Sequence, residues 1–387
     1  MNLEKHIALK QLFLLDPEII FLNHGSFGAT PRPVFESYQR WQRLIEWQPV
    51  NFFGRKQNTF IQEARESLAA YLNTSADHLV YVTNATTGLN IVARSLPLSE
   101  KDEVLTTDHE YGALDKTWSY LSRQSGFKYV QQPVNLPIKS IDSFIDNLWE
   151  RVTPRTRVIF ISHITSPTAI TFPVKEICAR ARKEGILTVI DGAHAPGQVD
   201  VDLQAINPDF YVGNCHKWLC APKGSAFLFA HPSVQHLLQP LVVSWGWEPS
   251  NPVQPAYQAF LQQNGTRDIS AFLTVPDAIQ FQEANDWHEV REYCHSLTRT
   301  AQQEIAKITG LPPLHPDSSE WYSQMGTAEL PSYLDHQKIH DELLSHHIEV
   351  PVSRWKDKNL IRFSFQIYNT DDDLRVFIDT LKSIISK

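Results

Sequence analysis

The chain has 387 residues, 42% of them hydrophobic and 20% charged, with a formal net charge of −8. That length allows one large domain and a smaller one around a substantial core, and the acidic balance argues against a nucleic-acid partner, which would call for a basic excess. Four cysteines, Cys178, Cys215, Cys220 and Cys294, fit no zinc spacing and are too few for a disulfide framework, so a reducing compartment is expected.

The N-terminus, MNLEKHIALKQLFLLDPE, carries charges at Glu4 and Lys5 and an apolar run of only Leu12 to Leu15, too short and too broken for a signal peptide. No stretch approaches the roughly 18 apolar residues of a membrane helix, so the expectation is a cytoplasmic protein without a membrane partner. From Leu79 the texture is that of an α/β domain. Leu79 to Thr83 reads as a strand, Thr87 to Leu96 as a helix and Asp102 to Thr107 as a strand. Arg157 to Ser162 is a continuous apolar run, the pattern of a strand buried on both faces. Val174 to Glu184 is helical and stops at Gly185, and Ile186 to Ile190 is again a buried strand. Such alternation predicts a mostly parallel sheet with helices on both faces. The short basic clusters Arg151 to Arg157 and Arg180 to Lys183 read as solvated faces. After about residue 268 two helical patterns follow, Ser270 to Ala284 and Asp286 to Ile308. A Pro-rich turn, a strand at Met325 to Leu330, a helix at His336 to His346 and strands at Ile348 to Val352 and Leu360 to Ile367 come next. Thr370 is placed to cap a last helix with Asp371, Asp372 and Asp373 in its first turn. The reading is a large α/β domain over 20–268 and a smaller α+β domain over 269–387, joined by the segment 1–19.

Three features could carry chemistry. Asp191 stands where a buried strand ends, the edge at which open α/β sheets bind ligands; a turn-capping aspartate is the ordinary alternative. Lys217 lies in a polar turn after the strand-like Tyr211 to Asn214, between His216 and Trp218. A lysine reacts as a nucleophile only in a shielded or cation-rich place, and an exposed loop lysine is the alternative. Thr83 to Gly88 is a small, hydroxyl-rich turn opening a helix, suited to a phosphate or to plain capping. Neither it nor Gly25-Ser26-Phe27-Gly28 is a Walker loop or a dinucleotide fingerprint. In combination they say more: a phosphate-suited helix start, a strand-end carboxylate and a lysine are the three groups that pyridoxal 5′-phosphate (PLP) requires.

The chain resembles the class V aminotransferases of PLP fold type I over nearly its whole length, and among them the isopenicillin N epimerase-like group. The resemblance is carried by FLNHGSFGATP (Phe21 to Pro31), PVNFFGR (Pro49 to Arg55), NATTGLN (Asn84 to Asn90), TTDHEYGAL (Thr106 to Leu114), DGAHAPGQ (Asp191 to Gln198), NCHKWLCAPKGSAFL (Asn214 to Leu228) and NGTRD (Asn264 to Asp268). It implies that Lys217 holds PLP as a Schiff base and removes the substrate α-proton. Asp191 would face the pyridine nitrogen, His194 the ring oxygen, and Tyr111 would stack on the ring where many relatives have histidine. Ala85, Thr86, Thr87, Asn214 and His216 would serve the phosphate, with Thr266 reaching it from the second subunit of a homodimer. Arg362 would bind the substrate carboxylate, with Asn23 on the substrate side; strand periodicity puts Ile361, Phe363 and Phe365 on one face and Arg362, Ser364 and Gln366 on the other. His109, beside these, reads as a residue just behind the site or at the surface. The implied activity is epimerase-like chemistry at the α-carbon of an amino acid or its conjugate. C–S lyase and aminotransferase chemistry are the alternatives. Residues 311–360 hold no cysteine, which argues against a persulfide-forming desulfurase, and Cys215 and Cys220 read as packing residues. A PLP-binding regulator would need a DNA-binding module, for which the stretch before Phe21 leaves no room.

Overall fold

The computed structural model describes residues 3–249 and 254–386. In chain order the strands are β1 (Ile20–Phe21), β2 (Leu79–Val82), β3 (Glu103–Thr107), β4 (Lys128–Gln132), β5 (Thr156–Ser162), β6 (Leu187–Gly192), β7 (Phe210–Asn214), β8 (Ala226–Ala230), β9 (Met325–Leu330), β10 (Ile348–Glu349), β11 (Val352–Trp355) and β12 (Lys358–Ser364). A seven-stranded sheet has the order β2-β8-β7-β6-β5-β3-β4. Its pairings are parallel except for those of β8, which runs against both β7 and β2. The large sheet is therefore mostly parallel, as expected. The reversal at β8 follows from the short polar turn after β7, which leaves no length for a crossover helix.

The continuous apolar runs have the origin the sequence suggested. Val158 and Phe160 of β5 pack into one hydrophobic layer, and Ile159 and Ile161 into the other. Both faces of the sheet are covered, so neither set of side chains can be polar. Gly88 shows how close one covering helix lies. It sits in the helix Ala85–Ser95, and a Cβ there would stand 2.6 Å from Val212 Cγ1 of β7.

The second sheet, β11-β12-β9, is antiparallel. The long helix Trp287–Thr309 and the last helix Asp371–Ile385 pack beside it. Thr370 caps the latter through Asp373 N–H in a reciprocal capping box. Two expected elements are interrupted. Ser270 to Ala284 divides at Thr274 into Ser270–Leu273 and Val275–Ala284, because Pro276 fits only a first helical turn. The run Ile348 to Val352 divides into β10 and β11 around Pro351, which has no N–H for a ladder. The N-terminal segment is woven in: β1 pairs with β10, and the helix Leu3–Lys10 sets His6 edge-on against Tyr293.

Candidate active site

The carboxyl ends of β2, β3, β5, β6 and β7 point to one edge of the large sheet. The turns that leave that edge form a cavity of about 300 Å³, lined by residues that include Lys217, Asp191, His194, Tyr111, Ala85, Thr86, Asn214 and His216. Asp191 is the last residue but one of β6, one strand from Asn214 at the end of β7, and Lys217 follows in the turn before β8. The helix that opens at Ala85 is capped by Asn84, whose Oδ1 accepts the Thr87 N–H at 2.8 Å; Asn214 Oδ1 accepts the Ala85 N–H at 2.9 Å. The hydroxyl-rich turn is thus a true helix start whose cap is asparagine.

Lys217 Nζ stands 3.1 Å from His194 Nε2. Burial and the Arg362 guanidinium push its amine down to about 7, against the opposing pull of the Asp191 carboxylate. Burial raises Asp191, while the Ala193 N–H, donated to Oδ1 at 2.9 Å, and the Lys217 charge lower it. His216 donates Nδ1–H to Ser225 O at 2.8 Å, and burial holds it down to about 4. The backbone at Lys217 is fixed from the N-terminal segment. His24, kept neutral by complete burial, lies with Nε2 3.1 Å from Lys217 O and Nδ1 2.9 Å from Tyr368 Oη. Since the carbonyl can only accept, Nε2 donates to it and Nδ1 receives the Tyr368 hydroxyl. Gly28 adopts φ +70°, and a Cβ there would lie 2.2 Å from His216 O, so this approach needs glycine.

Arg362, on β12, bonds to the cavity wall from behind. One terminal nitrogen donates to Ser166 O at 2.6 Å, the other to Ser26 Oγ at 3.0 Å; Ser26 and Ser166 both line the cavity. Its guanidinium is lowered to about 10 by burial. The alternation expected on this strand is present: Ile361, Phe363 and Phe365 are in the core, and Ser364 Oγ accepts the Gly25 N–H. Asn23 accepts from Ser26 Oγ at 2.5 Å and donates to Glu349 Oε1 at 3.0 Å. Thr87 Oγ1 accepts from Thr83. Thr266 lies in a separate groove with Phe53, Gln57 and Trp245. Tyr111 is 46% exposed and covers the mouth from the start of helix Gly112–Ser125.

Several polar residues here had no signal of their own in the sequence. Ser26 and Ser166 brace Arg362, and they could have been found only by knowing which distant segments meet. Glu110 is buried beside Tyr111, accepting from Thr107 Oγ1 at 2.6 Å and from the Ser162 N–H and hydroxyl at 2.8 and 2.6 Å. Burial pushes its carboxyl up to about 8. His109, expected just behind the site or at the surface, is fully buried against Trp355 and bonded to Thr168 Oγ1. The four cysteines are free and buried, and burial raises every thiol, Cys220 to about 12. None is a ready nucleophile. Among the described residues no cluster of His, Cys, Asp and Glu could hold a metal ion, and no helix is long and apolar enough to cross a membrane.

A mostly parallel sheet with a lysine turn, a strand-end carboxylate and a helix N-terminus at one cavity defines a PLP enzyme of fold type I. The class-V aminotransferase family matches residues 30–377, and the chain belongs to it. It is similar to the isopenicillin N epimerase of Amycolatopsis lactamdurans, 34% identical over 384 residues and 96% of each chain. It is also similar to an L-cysteine desulfhydrase-like protein of Epichloe uncinata, 30% identical over 77% of this chain and 71% of the relative. The fold is that of the cysteine desulfurase CsdA of Escherichia coli, with a TM-score of 0.83 over 98% of each chain at 20% identity.

Proposed function

We propose that this PLP enzyme acts at the α-carbon of an amino acid or amino-acid conjugate and inverts it, as an epimerase does. The observation that carries the proposal is the Lys217 amine. It is buried, its proton affinity is lowered by burial and Arg362, and it shares a cavity with a buried carboxylate.

The residues suit PLP. Asp191 is a buried carboxylate with one backbone donor at Oδ1, and a protonated ring nitrogen would give it a cationic partner. The helix start at Ala85, Thr86 and Thr87, with Asn214 and His216, would take the phosphate. His194 would donate to the ring oxygen. When bound, PLP supplies an electron sink for charge that develops at the substrate α-carbon. Lys217 would take the α-proton from one side. Arg362 would hold the substrate carboxylate through a charged pair of hydrogen bonds, with Ser26 and Asn23 behind it. Tyr111, at the mouth, would cover the ring and return a proton from the other side.

Thr266 would serve the phosphate of a second copy in a homodimer. In support, its groove is bordered by Trp245, which is 90% exposed, next to an exposed Val243. Residues 20–268 and 269–387 would be the two domains, with 1–19 attached to the second; residues 1, 2, 250–253 and 387 lie outside the described residues. The unpaired, buried cysteines support a reducing, cytoplasmic setting.

C–S lyase chemistry is the second reading, favoured by the similarity to a desulfhydrase-like protein. It would use the same Lys217 and Arg362 without a cysteine nucleophile. The test is incubation of PLP-loaded protein with a panel of amino acids and cysteine conjugates, with products read by mass spectrometry and optical configuration. Inversion of a substrate supports the proposal. Release of a sulfur fragment supports the lyase, exchange of an amino group supports an aminotransferase, and inertness toward every amino acid would remove all of these.

A further inference from the structure

Trp218 directly follows Lys217 and is fully buried. Its indole N–H donates to His194 Nδ1 at 3.4 Å, while His194 Nε2 faces Lys217 Nζ at 3.1 Å. An indole nitrogen can only donate. The nitrogen that receives it therefore bears no proton, and a neutral imidazole in that position carries its hydrogen on Nε2. The surroundings favour the neutral ring: burial holds His194 well below the usual histidine range, and Lys217, Arg362 and His24, which face it, act in the same direction. The Nε2–H then points at Lys217 Nζ and requires an acceptor, the lone pair of a neutral amine. An ammonium there would set two donors against each other. Arg362 and burial already weaken the lysine's hold on its proton without any help from Trp218, so two independent features agree on one arrangement of protons.

The partners have little freedom to rearrange. Gln198 donates to His194 O at 2.8 Å while its own Oε1 accepts the Met325 N–H at 3.1 Å, which ties the His194 turn to β9. Gln282 donates to Trp218 O at 2.8 Å.

We propose that Trp218 is a positioning residue that locks His194 as the Nε2–H tautomer, giving the site a fixed hydrogen-bond donor. In the free protein that donor meets the Lys217 amine; in the loaded protein it meets an anionic ring oxygen of the cofactor. The second half rests on the PLP reading, and the first half does not. The opposite tautomer would turn a lone pair toward that oxygen and repel it.

The experiment is nitrogen NMR of the full chain labelled with ¹⁵N-histidine, with the His194 signals assigned by their loss in His194→Gln. The wild type is expected to show a protonated, pyrrole-type Nε2 and an imine-type Nδ1. Trp218→Phe keeps an aromatic ring and removes the donor. It should move His194 toward a mixture of tautomers and, after PLP is added, displace the pH midpoint of the lysine-bound cofactor's absorbance. A pyrrole-type Nδ1 in the wild type overturns the proposal, and so does a folded Trp218→Phe protein with both tautomer and midpoint unchanged. If Trp218→Phe does not fold, the wild-type spectrum decides alone. A protein that never binds PLP would sink the functional reading and leave the tautomer measurement intact.

Discussion

The cavity has two walls of different construction. One is made of strand ends and the turns that leave them: Asp191 is paired within β6, while His194 follows β6 and Lys217 follows β7, in turns that leave the paired strands β6, β7 and β8. The other wall is assembled from afar. Arg362 is braced by Ser166, 196 residues away, and by Ser26, 336 residues away. In the proposed function the first wall would carry proton transfer at the ends of paired strands, which suit a catalytic geometry better than loops do. The second would carry recognition where three segments meet, so its geometry depends on contacts between residues far apart in the chain. Damage to the first wall should abolish chemistry with binding intact, and damage to the second should grade binding with chemistry intact.

The largest expected effect is at the first wall. Lys217→Ala should lower turnover of any accepted amino acid by about 10²–10⁴-fold, the usual contribution of a positioned acid–base group, and this is checked by single-turnover kinetics. Turnover within about tenfold of wild type would mean that the two walls do not divide the work as described. At the second wall, Arg362→Ala should leave PLP bound and reduce kcat/KM roughly 10- to 150-fold, the range for a charged hydrogen-bonded contact of about 1.5–3 kcal/mol. Unchanged kinetics with every carboxylate substrate would make Arg362 structural. Ser26→Ala removes one of the braces and should cost less, roughly 2- to 10-fold in kcat/KM with kcat nearly constant; a fall in kcat instead would place Ser26 on the chemical wall.

The smallest effect on rate is expected at Glu110, which joins β3 to β5 between the walls through Thr107 and Ser162. Its effect is on stability. The folded protein holds the Glu110 proton up to about 8, against an ordinary 4.5. A carboxyl raised on folding contributes stability that is fully present below pH 4.5 and is lost as pH rises toward 8. Glu110→Gln should therefore flatten the dependence of Tm on pH across that window. A variant whose Tm falls with pH as steeply as that of the wild type would show that the carboxyl is not the group responsible.

The same contrast decides what could be read from the sequence. The first wall was legible because a parallel sheet brings the carboxyl ends of its strands to one edge: a strand-end Asp191, a lysine after a strand and a small turn before a helix need only the fold class to be placed together. The family motifs were legible for the same reason, each being a contiguous stretch. Period-2 alternation was enough to put Arg362 opposite Ile361 and Phe363, but alternation says nothing about which remote loops meet it. Ser26 and Ser166 are short hydroxyls of the kind found throughout surface loops, and Glu110 reads as a surface charge until burial is known. Asn23 was singled out with its segment, but nothing in the sequence signalled that its amide meets Ser26 and Glu349. The breaks at Pro276 and Pro351 were visible as residues. Their consequence depended on where helix and strand had already begun.

In the proposed function Lys217 is the residue that holds the cofactor. Reduction of the PLP-loaded protein with borohydride, followed by digestion and peptide mapping, tests it directly. A pyridoxyl adduct is expected on the peptide that contains His216-Lys217-Trp218, and none in the Lys217→Ala protein. An adduct on Lys223 or any other lysine, or an undiminished adduct in Lys217→Ala, would contradict it.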